Sequence, residues 1–112
     1  MTDPDRTWLT LPEIAERLGI AVTRVRRLIE DKHLVATRRD GVLRVPEAFL
    51  DEEGPRPELR GTVILLNDSG YSDDEAVAWL LSTEDSLGAA PIDALRAGRK
   101  AEVRRVAQAL AL

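Results

Sequence analysis

Cysteine is absent from the 112 residues, and His33 is the single histidine. With no thiol there can be no disulfide and no thiolate metal site. A lone histidine without a partner base or carboxylate makes no acid–base case; at the end of a helix its partial charge suits the helix dipole. Long apolar runs are also missing, since no window approaches the roughly 18 residues needed to cross a bilayer. The opening Met1-Thr2-Asp3-Pro4-Asp5-Arg6 has neither the basic start nor the apolar stretch of a secretory signal. No phosphate-cradling glycine loop and no Ser/His/Asp or Cys/His set can be found. These absences argue against an enzyme, a cofactor, a metal or a membrane partner, and favour the cytoplasm. Carboxylate pairs such as Asp51/Glu53 and Glu84/Asp85 fall in loop-like stretches, where solubility explains them.

What the chain does have is an uneven distribution of charge. Its net charge is -4, which alone would disfavour a polyanionic partner. From Thr23 to Val45, however, seven basic residues face three acidic ones, a local +4, whereas from Asp51 onward the balance is -5. Affinity for nucleic acid follows the field where contact is made rather than the whole-chain sum. The acidic remainder should still weaken non-specific binding.

Residues 1–7 are polar and expected to fray. Thr10-Leu11-Pro12-Glu13 reads as a capping box that opens a helix, with Pro tolerated in the first turn. Leu11, Ile14, Ala15 and Leu18 follow the amphipathic stripe, and Gly19 is the expected stop. A second helix, 22–32, should bury Val25, Leu28 and Ile29. It lacks the usual Ser or Asp cap, having Ala21-Val22 instead, at a cost of about 1 kcal/mol; Thr23 is the alternative cap and would start the helix later. Leu34–Thr37 and Val42–Val45 are expected as strands of a hairpin, 35–45, around Asp40-Gly41, a strong hairpin signal. Pro46 to Leu50 should form a short helix, and 51–57 a linker by composition. Beyond it, Leu59 to Asn67 is read as helix in preference to a lone buried strand. Ser72-Asp73-Asp74-Glu75 is a second capping box leading into Ala76 to Leu81. Ala90-Pro91-Ile92-Asp93 opens a helix stopping at Gly98, and Lys100 to Leu110 is the last. Trp8 and Trp79 are expected as core or edge-of-core anchors rather than stacking platforms. The fold class is mainly α: a winged helix-turn-helix at 8–50, then a small helical module at 58–112.

Helix, glycine turn, helix and two-stranded hairpin is the winged helix-turn-helix plan. Ala15 is small where two helices cross, Gly19 makes the turn, and Ile20, Val25 and Leu28 fill the angle between them. With Val25, Leu28 and Ile29 inward, helical geometry turns Thr23, Arg26, Arg27 and Glu30 outward. Arg26 and Arg27 are the candidates for base edges in the major groove, Thr23 and Arg24 for phosphates. Lys32 and the wing residues Arg38, Arg39 and Arg44 complete the candidate DNA contacts, the wing reaching backbone or minor groove. An arginine on an exposed helix face is most often plain solvated surface; the clustering on this plan is what points to double-stranded DNA.

The segment resembles the MerR/excisionase-like variety of helix-turn-helix. From Trp8 to Ala111 the chain resembles an actinobacterial family of small winged helix-turn-helix DNA-binding proteins of the PknL-kinase-substrate type. The resemblance is carried by Leu9-Thr10-Leu11-Pro12-Glu13-Ile14-Ala15, Thr23-Arg24-Val25-Arg26-Arg27-Leu28, Val42-Leu43-Arg44-Val45-Pro46, Gly70-Tyr71, and Ala76 to Leu80 with Trp79. It implies a DNA-binding amino half and a helical carboxyl half of unsettled role. Kinase control is not written in the sequence: Thr2, Thr7 and Thr10 are available hydroxyls only. Trp79-Leu80, Leu87-Gly88, Pro91–Leu95, Gly98-Arg99 and Glu102-Val103 also resemble, more weakly, the toxin-binding domain of Xre/MbcA/ParS-type antitoxins. The alternative function is therefore a protein-interaction module whose carboxyl helices take a partner. A single small winged helix offers few contacts, so a homodimer belongs with the expected partners, although no coiled-coil heptads show how it would form.

Overall fold

The structure, a computed structural model, describes residues 6–110. The amino-terminal residues expected to fray, with Thr2, fall mostly on 1–5, and the expected helical module extends to 111–112; these lie outside the described residues. Arg6 and Thr7 are tied down rather than loose. Arg6 makes a two-pronged ion pair with Asp93, at 3.1 and 2.7 Å, and the Thr7 carbonyl accepts from the Glu47 amide at 2.9 Å.

A strand the sequence did not show comes first: β1 (Trp8–Thr10). Three residues are too few for alternation to register, and β1 exists only because a later strand pairs with it. Thr10 ends it and caps α1 (Leu11–Leu18), accepting from the Glu13 amide while Glu13 accepts from the Thr10 amide at 2.8 Å. Gly19 stops the helix at φ 68°, returning its N–H to Ala15 and Glu16. Then α2 (Val22–Glu30) begins from Ala21, with no side-chain cap, so Thr23 does not serve as one. It ends two residues short of the expected 22–32. Lys32 takes φ 69°, and the amides of His33 and Leu34 fold back onto the Leu28 carbonyl. Val25 is buried as expected, whereas Leu28 and Ile29 are only half-buried.

That reversal delays the hairpin. Leu34 and Val35 are buried, but as irregular chain wrapped over the helix end rather than as strand. Pairing starts at β2 (Thr37–Arg39) and returns through β3 (Val42–Pro46). The two-residue turn sets this register, placing Arg39 opposite Val42: Asp40 and Gly41 both have positive φ, 55° and 79°, as the turn that matches strand twist demands. β3 also pairs antiparallel with β1, giving a three-stranded sheet in the order β1-β3-β2.

Pro46 is followed by a single 3-10 turn, Glu47–Phe49. In the 51–57 stretch, expected as linker, β4 (Leu50–Asp51) and β5 (Gly54–Pro55) close a small hairpin, and Arg56 donates to the Ala48 carbonyl at 2.7 Å. Four helices follow among the described residues: α3 (Leu59–Asp68), α4 (Asp73–Leu81), α5 (Pro91–Arg96) and α6 (Lys100–Ala109). Helix α3 settles the ambiguity of Thr62–Leu66 in favour of helix. Ser72 and Glu75 form the second capping box as expected. The buried residues make one cluster that runs through both halves, from Leu9, Ile14, Val25 and Phe49 to Leu66, Leu80, Ile92 and Val103.

The two capping boxes give a first prediction. Thr10→Ala strips the acceptor from the Glu13 amide and lowers stability by about 1 kcal/mol in urea denaturation at neutral pH. The carboxyls of Glu13 and Glu75 are held below the ordinary value, first by the backbone N–H of Thr10 and Ser72 and then by those residues' hydroxyls. A carboxyl lowered in the folded state stabilises above its unfolded value and loses that contribution as pH falls through the folded one. Wild type and Glu13→Ala therefore converge in stability as pH drops below 4.5; a gap that persists undiminished in acid would contradict the assignment.

Candidate nucleic-acid interface

The helix-turn-helix presents its second helix by burying one stripe and leaving the rest. Val25 is fully enclosed, while Thr23, Arg24, Arg26, Arg27 and Glu30 are exposed. Successive residues on a helix sit about 100° apart, and the two expected base readers diverge accordingly. Arg26, one turn after Val22, lines a shallow groove of about 290 Å³ between α2 and the hairpin, together with Pro12, Arg38, Val42 and Leu43. Arg27 borders a separate depression with Thr23 and Arg24. The helix thus offers a wing-side cation and an outer cluster of two cations and a hydroxyl.

The hairpin's cations also divide. Side chains alternate along a strand, and cross-strand partners share a face. Arg38 opposes Leu43, on the face Leu43 shares with Val45 and its partner Leu9, and so emerges beside Arg26. There it donates to the Gly41 carbonyl at 3.2 Å, bracing the turn. Arg39 and Arg44 belong to the opposite face with Trp8 and Thr37. The Arg39 guanidinium lies 4.2 Å over the Trp8 ring, a cation–π contact. Arg44 is half-buried, close enough to Glu13 to help hold that carboxyl ionised. Lys32, beyond the end of α2, places its ammonium on Asp73 at 3.0 Å.

Of the eight candidate residues, then, the fold gathers Thr23, Arg24, Arg26, Arg27 and Arg38 around the exposed side of α2, engages Lys32 with Asp73 and Arg39 with Trp8, and leaves Arg44 half-buried on Arg39's face of the sheet. Two features escaped the sequence. Val42, at the hairpin tip, is an exposed large hydrophobic at 43%; strand alternation alone cannot tell an inward from an outward valine there. Arg60, on α3, donates to the carbonyl of Asp31 at the end of α2 at 2.8 Å, a cation at the negative end of the helix dipole. No local pattern signals a contact across 29 residues. Among the described residues no group of three or more His, Asp and Glu side chains is placed to hold a metal ion, and no helix is long and apolar enough to cross a membrane.

Residues 1–50 match the family model described as "DNA-binding protein Rv2175c, wHTH domain", and residues 57–111 match "Rv2175c C-terminal domain of unknown function". The chain is 38% identical to the DNA-binding protein Rv2175c of Mycobacterium tuberculosis, over 97% of this chain and 84% of that protein. It is similar throughout to the solved NMR structure of Rv2175c, with a TM-score of 0.89 and 36% identity, covering 100% of this chain and 86% of that one. The fold is a winged helix-turn-helix followed by a helical module, and with both halves matched in order the chain belongs to the Rv2175c family.

Proposed function

We propose that the protein binds double-stranded DNA and acts as a transcriptional regulator, with α2 in the major groove and the hairpin against the adjoining backbone. One observation carries the reading: four arginines, Arg24, Arg26, Arg27 and Arg38, stand exposed around the helix that a helix-turn-helix uses for recognition. Arg27 and Arg26 reach base edges, where a guanidinium can bond guanine O6 and N7 together. Thr23 and Arg24, in the first turn of α2, take phosphates. Arg38, across the groove from Arg26, takes the strand of backbone that passes between helix and wing. Lys32 and Arg39 add to the positive field without direct bonds, since Asp73 and the Trp8 ring hold them; Arg44 adds to the same field from its half-buried place on Arg39's face of the sheet. The name of the relative supports DNA as the ligand.

Selection from random duplexes, followed by a salt titration on the winner, tests the proposal. A sequence should be enriched, and its log affinity should fall linearly with log salt, with a slope of roughly -0.9 for each phosphate neutralised. Arg38→Ala should flatten that slope by about one while leaving the ranking of sequences intact. No enrichment and no salt dependence would overturn the assignment. Sedimentation of the complex in the same series reads whether one copy or two occupies the site.

A further inference from the structure

We infer that the carboxyl helical module is a clamp that sets the angle between the recognition helix and the wing, with Asp73 and Asp74 as its positioning residues. The inference rests on the DNA-binding reading above for its consequence, though not for its geometry. The segment 31–37 joins α2 to β2, and helices α3 and α4 hold both of its ends. At the helix end, the Arg60 Nε donates to the Asp31 carbonyl at 2.8 Å, and the Lys32 ammonium donates to both oxygens of Asp73, at 3.0 and 3.3 Å. At the wing end, the Thr37 hydroxyl donates to the Asp74 carboxylate. Between them Leu34 and Val35 are sunk in the common core.

Asp73 is itself fixed, because Asn67 Nδ2 donates to its Oδ1 at 3.3 Å and to the Tyr71 carbonyl at 2.9 Å. The two aspartates are neighbours in the first turn of α4 and point about 100° apart, so one serves the helix side and the other the wing side. Behind the hairpin, Val77, Ala78 and Leu81 of α4 line a cleft with Trp8 and Arg39. The junction's course also runs against local preference, since Lys32 occupies the left-handed region at φ 69°, which a side chain enters at a cost. Local bonds from the His33 and Leu34 amides to the Leu28 carbonyl close the reversal, and the contacts from α3 and α4 fasten its two ends to the helical module. Exposed polar pairs of this kind add little to global stability. Their effect falls on where the hairpin points.

The test uses Thr37→Val, which keeps the β-branched shape and the charge, Asp74→Ala, which removes the acceptor, and both together, all in the full chain. Residual dipolar couplings on the free protein read the angle between α2 and the hairpin, and amide exchange reads hairpin opening. Both single variants should broaden that angle and speed exchange of the hairpin amides about threefold, leaving those of Ile14 and Val25 unchanged. The double variant should match either single one, because each removes the same bond. On the selected duplex, Thr37→Val should reduce the ratio of cognate to random-duplex affinity about threefold or more, with no change in net charge to account for it. Wild-type couplings and exchange in Thr37→Val and Asp74→Ala would overturn the clamp. A wild-type protein that prefers no duplex would overturn the DNA reading alone, because the free-protein couplings still decide the clamp.

Discussion

The double variant Arg26→Ala/Arg27→Ala loses affinity for its selected duplex by about 30-fold or more, while folding as wild type does. Each bidentate arginine–guanine contact is worth about 1–3 kcal/mol, and every 1.4 kcal/mol is a factor of about ten. Neither guanidinium makes a hydrogen bond or ion pair among the described residues, and both side chains are exposed. Their removal therefore leaves no buried partner orphaned, and surface changes of that kind shift stability by no more than about 0.5 kcal/mol. The single variants should differ in character. Arg27 lies with Thr23 and Arg24, away from the hairpin, and its loss should relax sequence preference. Arg26 shares its groove with Arg38, so its loss should cost both preference and salt slope. Fluorescence anisotropy at two salt concentrations, with thermal melts as the control, separates these outcomes. Undiminished affinity in a normally folded double variant would remove α2 from the recognition role.

Which parts of this interface could be read from the chain depends on how far apart the interacting groups lie. Thr10 with Glu13, Ser72 with Glu75, Gly19 as a helix stop and Asp40-Gly41 as a turn are all settled within four residues, and each appears as expected. The outward face of α2 followed equally well, because periodicity around Val25 fixes it. Where the outcome depends on distant chain, the sequence was silent or misleading. β1 is too short to announce itself and forms by pairing with β3 across 36 residues or so, a separation set by tertiary folding. Leu34-Val35 has strand-like composition, yet the reversal at Lys32 uses it to cover the core instead. Lys32 and Arg39 look like their neighbours in sequence, but Asp73 and Trp8 claim them. A charge run states how much positive potential a segment carries; only packing decides which members face outward.

Phe49→Ala should be the most damaging single substitution, at about 3–5 kcal/mol. Phe49 heads the largest fully buried side chains and stands in the 3-10 turn through which the sheet hands over to the β4–β5 hairpin. Its carbonyl accepts from the Arg56 amide at 3.0 Å, and its turn packs against α5. A large side chain at that junction touches what both halves need. Small domains have only about 5–15 kcal/mol to lose, so the substitution removes a large share of the total. Because the core is one cluster, the loss should not be confined to one half. Urea unfolding can be followed by fluorescence in Trp79→Phe, where Trp8 reports on the sheet, and in Trp8→Phe, where Trp79 reports on α4. In each background Phe49→Ala should move the midpoint to lower urea by the same amount, with the slope of the transition unchanged. A shift seen by Trp8 alone would mean that the halves fold independently and that the helical module does not share its stability with the winged helix; a loss below about 1 kcal/mol by both probes would contradict the role given to Phe49.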